Sequence, residues 1–203
     1  MVLSMWKFKK NPDSIRVELY PLSKHNFQHT VVLTAPVKRS VVLWNLLDYS
    51  HVNWVHRKVY RYCKILAESG NTCLLEYGVN QLFFLPWKMS FPTIMYREFI
   101  PPDRVRHLSR SPWGAYTKVE VKLEEFTEKD RVFTKMINIY SSSIPRFLLP
   151  FKKFMTSYID NWVRNLWSED LPMLLRRQQV LDLGFRDHPA DVAPKSPEGL
   201  AVQ

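Results

Sequence analysis

The chain has 203 residues, of which 46% are hydrophobic and 14% aromatic, and its formal net charge is +10. This length and composition predict one globular domain with a substantial core and exclude an intrinsically disordered chain. The positive charge is typical of a solvated basic surface, and an acidic partner protein is the alternative. Because the basic residues are scattered and no nucleic-acid motif accompanies them, nucleic acid is not an expected partner.

Hydropathy and cysteine content predict a cytoplasmic protein. No apolar run reaches the ~18 residues of a membrane-spanning helix, and the first residues lack the charge order and cleavage site of a signal peptide. Cys63 and Cys73 are expected to be reduced thiols, although pairing across adjacent strands is an alternative. Two cysteines cannot hold a four-cysteine iron–sulfur cluster or a structural zinc ion.

Most of the chain predicts β-strands with an apolar residue at every second position. The alternation is cleanest over residues 117–124, where one face should be buried and the other solvated. Strands are expected at 27–34, 59–65, 72–79, 89–99, 105–110, 116–126 and 132–140, with a short additional strand at 15–19. Turns are expected at 68–71, 101–103, 112–114 and 127–130, and a linker at 141–150.

A first helix is predicted directly before the densest group of polar residues. Thr34 can cap its start, and Pro36 is tolerated in its first turn. Its apolar residues have helical spacing: Val41, Leu43, Trp44, Leu46 and Leu47. The helix leads into the segment from Asp48 to His56.

The C-terminal part predicts one long helix, from residue 151 to about residue 183. Its apolar residues follow one another at steps of three or four, from Phe151 and Phe154 to Leu174 and Leu175. Pro172 is expected to kink this helix. The chain is thus predicted to have an arm at 1–24, one domain at 25–185 and a disordered tail at 186–203.

The order of these elements is that of an α+β fold, with a strand, a helix, a run of antiparallel strands and a long final helix. The apolar stripe of the final helix is wide enough to need a curved sheet around it. This arrangement resembles the helix-grip fold of the START-like (SRPBCC) superfamily. The resemblance implies an apolar cavity between the sheet and the helix, which is a natural site for a hydrophobic ligand.

Asp170 interrupts the apolar stripe of the final helix. The spacing of Trp162, Val163 and Leu166 predicts an apolar residue at position 170. An unpaired carboxylate on a buried face is costly unless it gains a cation, hydrogen bonds or a proton. A metal ion meets this need directly, whereas Glu169, about 100° away round the helix, is expected to face outward.

The segment from Asp48 to His56 supplies a carboxylate and two imidazoles. His51 and His56 are about 140° apart on an ideal helix, so both can face one ion only if the helix breaks between them. Asn53 is a candidate position for that break. Asp48 is placed to accept a hydrogen bond from a ligating imidazole. Two histidines and one distant carboxylate are a mononuclear iron ligand set, and surface or hydrogen-bonded core histidines are the alternative.

The pattern Asp-x2-His-x4-His, formed by Asp48, His51 and His56, is similar to the iron motif of the Rieske non-haem iron oxygenases. The segment from Glu169 to Gln179 resembles the C-terminal helix that supplies the third ligand of that family. The resemblance implies a mononuclear Fe(II) held by His51, His56 and Asp170. It also implies that Asp48 is a catalytic bridge through which an electron arrives.

The chain departs from that family because it has no domain that could hold a [2Fe–2S] cluster. It contains no Cys-x-His or Cys-x2-His pair, so the electrons would have to come in trans. The expected donor is an acidic iron–sulfur protein such as a ferredoxin or a Rieske protein, because the basic surface would favour its docking. In that family a Glu-Asn pair usually precedes the aspartate of the motif. This chain has Trp44 and Asn45 there, so only the asparagine has a counterpart.

Two functional hypotheses follow. The first is an oxygenase that acts on a hydrophobic, cyclic small molecule, with Trp54, Trp87 and Phe91 as candidate pocket walls. The second is a protein of the same fold that binds a lipid, pigment or polyketide without redox chemistry, or that acts as a cyclase. The missing cluster domain motivates the second hypothesis.

The remaining candidate residues are weaker. His25 and His29 are expected to be surface residues, and His107 and His188 have no partners in the pattern. The segment 147–154 mixes phenylalanines with lysines, which is typical either of peripheral membrane contact or of the start of the core helix.

Overall fold

The structure is a computed structural model that describes residues 26–79, 91–110, 116–144 and 146–185. The predicted arm at 1–24 with its strand at 15–19, the turn at 112–114 and the tail at 186–203 lie outside the described residues. Trp87, His25 and His188 also lie outside them.

The described residues form seven β-strands, each within a few residues of a predicted strand. Their bounds are β1 Phe27–Ala35, β2 Tyr60–Ser69, β3 Thr72–Val79, β4 Phe91–Ile100, β5 Arg104–Arg110, β6 Tyr116–Glu128 and β7 Arg131–Ser143. They form one antiparallel sheet in the order β1-β7-β6-β5-β4-β3-β2. The first strand in sequence therefore pairs with the last.

The strand β6 shows how the sequence pattern produces the sheet. Val121 and Leu123 are only 3% and 1% exposed. Lys122 lies between them on the opposite face, where its Nζ donates to Glu124 Oε1 at 2.8 Å. Because side chains alternate along a strand, one face of β6 packs into the core while the other meets solvent. The interpretation of residues 117–124 is confirmed.

The predicted linker at 141–150 is wrong in its first part. β7 continues through Ser143, because Ser141 and Ser142 pair with β1 on one side and with β6 on the other. A 3₁₀ helix then covers Arg146–Phe151. The three serines lack an apolar alternation, but they have ladder partners, on both sides for Ser141 and Ser142 and in β6 for Ser143, that satisfy backbone groups.

The first helix, α1, covers Arg39–Leu47 and begins later than predicted. Its N-cap residue is Lys38. Thr34 cannot cap the helix, because it pairs with Lys135 in the ladder between β1 and β7. Val42 of α1 is fully buried.

Two further helices complete the described fold, the four-residue α2 (Val52–Val55) and the long α3 (Lys152–Asp182). The bounds of α3 agree with the prediction to within one residue. The helix α3 is continuous through Pro172, and the expected kink there stays a prediction. Residues 151–154 are exposed, so the first turn of α3 contributes little to the core, contrary to the predicted stripe.

The helices α1 and α3 pack with the sheet around a shared core. Val42 of α1, Leu123 of β6 and Leu174 of α3 belong to one buried hydrophobic cluster. An antiparallel sheet with a long C-terminal helix packed against it confirms the predicted α+β, helix-grip architecture.

Cys63 and Cys73 are buried and are not joined in a disulfide, as expected for reduced thiols. Among the helices of the described ranges, none combines the length and the apolarity that crossing a membrane requires.

Candidate metal and ligand site

The segment after α1 positions both candidate histidines. Asp48 has an extended backbone that ends α1, and its Oδ1 accepts hydrogen bonds from the backbone N–H and the hydroxyl of Ser50. His51 is the N-cap residue of α2, and His56 is its C-cap residue. The helix break was predicted between His51 and His56, but it lies before His51, where α1 ends. The two imidazoles therefore lie at the two ends of the short helix α2.

Asn53 lies inside α2 and is not the position of the break. Its side-chain amide donates to the carbonyl oxygen of Cys63 at 3.1 Å and accepts from the N–H of Cys63 at 2.6 Å. These two hydrogen bonds attach α2 to β2 and so fix the turn that carries both histidines.

The structure brings the three predicted metal ligands together. His56 Nε2 lies 3.1 Å from Asp170 Oδ1, and His51 Nε2 lies 3.6 Å from the same oxygen. One ligand atom from each residue lies within 4.8 Å of the other two. His56 and Asp170 are 4% and 5% exposed, so the group is almost closed to solvent.

These contacts fit ligands that converge on an ion better than they fit hydrogen bonds. Asp170 Oδ1 is buried and has no hydrogen-bond partner among the described residues, although His56 Nε2 is near enough. The imidazole nitrogen is therefore close but not aligned. Metal bonds of about 2.1 Å at right angles would place neighbouring ligand atoms about 3.0 Å apart, so the three atoms, which lie within 4.8 Å of one another, would draw closer together on an ion. The donor set suits a mononuclear Fe(II), and the binding of iron stays a prediction.

Glu169 is the site residue that sequence reasoning missed. Its predicted outward position is wrong, because its Oε2 lies 3.0 Å from His56 Nδ1, within hydrogen-bond distance. His56 is thus held between two successive carboxylates of α3, with Nδ1 toward Glu169 and Nε2 toward Asp170. A proton held at Nδ1 by Glu169 leaves the Nε2 lone pair available to a metal.

Asp48 does not make the predicted hydrogen bond to an imidazole. Its Oδ2 lies 4.0 Å from His51 Nδ1, which is beyond hydrogen-bond distance, and its other oxygen accepts from Ser50. His51 Nδ1 is buried and has no hydrogen-bond partner in the part of the chain that is described. The role of Asp48 as an electron bridge stays a prediction.

At both histidines, burial lowers the pKa and the nearby carboxylates raise it. Burial lowers the pKa of His51, against the opposing effect of Asp170. Burial also disfavours protonation of His56, but Asp170 and Glu169 together outweigh it and raise its pKa. Metal binding at His56 therefore requires the displacement of a more firmly held proton.

A cavity of about 140 Å³ lies between the sheet and α3, and the three candidate ligands belong to its wall. The rest of its lining is mainly apolar and aromatic, and includes Val52, Tyr60, Tyr77, Met95, Val119, Val121, Tyr140, Trp162, Val163, Leu166 and Trp167. A hydrophobic molecule in this cavity would lie beside the candidate ligands.

The three predicted pocket-wall residues do not all lie where they were expected. Trp54 is 70% exposed and does not line the cavity, so its prediction is wrong. Phe91 begins β4, and its side chain, like all of Trp87, lies outside the described residues. The tryptophans that do line the cavity are Trp162 and Trp167, which the helical stripe of α3 turns toward the sheet.

Two other histidines have structural roles that differ from those expected. His29 Nε2 lies 3.1 Å from Asp160 Oδ1 and links β1 to α3, so His29 is not an isolated surface residue. His107 lines the cavity, and its Nε2 is buried without a hydrogen-bond partner among the described residues.

An exposed aromatic and basic patch lies where the 3₁₀ helix meets α3. Phe147 is 74% exposed, and Phe151 and Phe154 are each 51% exposed. Lys152 and Lys153 between them are also exposed. The interpretation of these phenylalanines as core residues is therefore wrong, and peripheral membrane contact stays the prediction for this segment.

Comparison with known proteins gives a fold but no family. No protein-family model and no curated protein matches the sequence. The Thermus thermophilus protein TTHA0849 matches with a TM-score of 0.55 and 14% identity over 74% of this chain and 99% of that chain. The Zhui aromatase/cyclase of Streptomyces sp. R1128 matches with a TM-score of 0.52 and 13% identity over 76% and 94%. A conserved protein from Geobacillus kaustophilus matches with a TM-score of 0.54 and 10% identity over 74% of this chain and 96% of that chain.

These similarities show the fold of the chain, which is a helix-grip protein. The same fold occurs in an aromatase/cyclase. At 10–14% identity the similarities carry no statement about chemistry, and none of the three proteins is described as an oxygenase.

Proposed function

We propose that the chain binds a hydrophobic small molecule in the cavity between the sheet and α3. The helix-grip fold and the aromatic lining of the cavity support this proposal. The volume of about 140 Å³ is similar to the roughly 150 Å³ of an engineered apolar cavity that binds benzene. The ligand, or the part of it that enters the cavity, is therefore about the size of one ring.

In the same proposal, His51, His56 and Asp170 hold a mononuclear Fe(II) at the wall of the cavity. The observation that carries this step is the convergence of three buried donor atoms that lack aligned hydrogen bonds to one another. When bound, such an iron supplies open coordination positions for dioxygen chemistry. Glu169 orients the imidazole of His56, and the apolar walls hold the ligand beside the site and exclude water.

The proposed activity is that of an oxygenase-like domain acting on a hydrophobic, cyclic substrate. Its electrons would come from a separate acidic iron–sulfur protein, such as a ferredoxin or a Rieske protein. The net charge of +10 supports the docking of such a donor, because complementary charge raises encounter rates.

A second candidate is ligand binding or cyclisation without redox chemistry. The fold shared with the Zhui aromatase/cyclase favours it. In that case His56, whose pKa is raised between two carboxylates, would serve as a general acid or base toward the ligand.

Iron content separates the two candidates. The protein is purified without oxygen, reconstituted with Fe(II) and analysed for bound metal, together with the variants His51→Ala and Asp170→Ala. We expect about one iron per chain in the wild type and little in either variant, because each variant removes one of three ligands. His29→Ala is the matched control, since it removes an imidazole that contacts a carboxylate at 3.1 Å outside the cavity.

Wild-type protein that stays free of iron after reconstitution would refute the iron proposal. Ligand binding that persists in that protein and in His51→Ala would then support the second candidate.

A further inference from the structure

We infer that the cavity binds a ligand with an anionic group, and that Arg97 pairs with this group. The inference rests on the proposed role of the cavity in ligand binding. It adds the chemical class of the ligand, which is a small cyclic molecule that carries a carboxylate or a comparable oxyanion.

Arg97 is a buried cation without a charged partner. It lies on β4, is 9% exposed and lines the cavity. Its Nη1 donates to the carbonyl oxygen of Leu46, its Nη2 is 3.5 Å from the hydroxyl of Tyr77, and its guanidinium lies 4.8 Å from the ring centre of Tyr49. All of these partners are neutral, and no carboxylate of the described residues forms an ion pair with Arg97.

A buried guanidinium normally has a carboxylate beside it, because burial of an unpaired charge is unfavourable. Burial disfavours the charge of Arg97, but the phenols of Tyr77 and Tyr49 raise its pKa, so the group stays protonated. Its Nε is also buried with no hydrogen-bond partner in the described part of the chain. Among the described residues, the charge of Arg97 and the hydrogen of its Nε thus remain unmatched, and an anionic ligand in the cavity would satisfy both.

A second unsatisfied nitrogen lies next to Arg97 on the sheet. His107 of β5 is its register partner, and it also lines the cavity. The Nε2 of His107 is buried and, like the Nε of Arg97, lacks a hydrogen-bond partner among the described residues. With the proton of the neutral His107 ring on Nε2, this nitrogen would donate to one oxygen of a carboxylate while the Nε of Arg97 donates to the other.

The proposed anion site is separate from the candidate metal ligands but shares their cavity. The ring of His56 lies 6.3 Å from that of Tyr60, and the ring of Tyr60 lies 5.0 Å from that of Tyr77, which contacts Arg97. A ring-sized molecule bound through its carboxylate at Arg97 would extend its apolar part into the cavity, toward His56.

The test uses the full chain and three probes of similar size, which are benzoate, benzamide and toluene. Dissociation constants are measured by calorimetry, or from the thermal shift that each probe produces. We expect benzoate to bind at least about tenfold more tightly than its neutral analogue benzamide, as a charge-assisted hydrogen bond allows. Toluene tests whether the cavity accepts an apolar ring at all.

Variants locate the preference for the anion. Arg97→Met should bind benzoate and benzamide equally, whereas Arg97→Lys, which keeps the charge, should retain part of the preference. His29→Ala, whose side chain lies outside the cavity, should keep the full preference. The wild type assayed with a metal chelator should also keep it, because benzoate held only by a metal would not bind under that condition. Near-ultraviolet circular dichroism shows whether each variant is folded.

Several results would overturn the inference. They are equal affinity of the wild type for benzoate and benzamide, an unchanged preference in Arg97→Met, or toluene binding without benzoate binding. Failure of all three probes would instead refute the ligand-binding function itself, so the two failures are distinguishable.

Discussion

Fe(II) should stabilise the folded protein, and the loss of one ligand should abolish the effect. In the structure, Asp170 is 5% exposed and its Oδ1 has no aligned hydrogen bond among the described residues, so the two nearby imidazoles leave part of the compensation that a buried carboxylate needs missing. An ion bound between Asp170 and the two imidazoles would provide that compensation only in the native state, because unfolding separates His51 and His56 from Asp170.

The size of the effect follows from mass action. A ligand that binds only the native state and is present at 100 times its dissociation constant adds about 2.7 kcal/mol to the free energy of unfolding. For a domain of this size, 1 kcal/mol corresponds to about 2–4 °C in melting temperature. Saturating Fe(II) should therefore raise the melting temperature by roughly 5–11 °C.

The measurement is thermal unfolding under anaerobic conditions, followed by circular dichroism, with and without Fe(II). The wild type and His29→Ala should show the shift, whereas His51→Ala, His56→Ala and Asp170→Ala should show little of it. A wild type that melts at the same temperature with and without iron, or a His51→Ala protein that shifts as much as the wild type, would refute the reasoning.

Three further predictions follow from single contacts. Glu169→Gln should weaken iron binding by about 10–100-fold in competition with a chelator, because Glu169 orients His56; an unchanged affinity would contradict this role. Burial and then Arg97 hold the pKa of His107 well below its usual range, so the contribution of His107 to stability should fall as the pH falls below about 6.5, by at most about 1.4 kcal/mol per pH unit. In urea unfolding, His107→Gln should reduce this slope, and an identical slope would argue against a neutral His107. The protein should co-sediment better with vesicles rich in phosphatidylserine than with phosphatidylcholine vesicles, and replacement of Phe147 and Phe151 by Ser should reduce that binding. Equal binding by the wild type and this variant would exclude the patch as the membrane-binding surface.

Local patterns predicted the elements of this fold well. The strand alternation in β6 and the helical spacing in α3 depend on residues a few positions apart, so the period of the apolar residues reports them directly. The same logic exposed Asp170, because a carboxylate on an apolar stripe conflicts with its neighbours whatever the rest of the fold. Residues 141–143 had no such pattern, and only pairing with β1 and β6 makes them a strand.

The site shows where local information ends. Sequence alone supplied the three candidate ligands, since His51 and His56 are close along the chain and Asp170 was conspicuous on its helix. The approach of Glu169 to His56 is a contact across 113 positions, and it depends on how α3 lies against α2. The role of Arg97 could not be predicted, because the sequence does not show which charges remain unpaired after folding. Burial and partnership are properties of the assembled sheet and helix, so only the tertiary structure reveals an arginine whose charge a ligand would have to match.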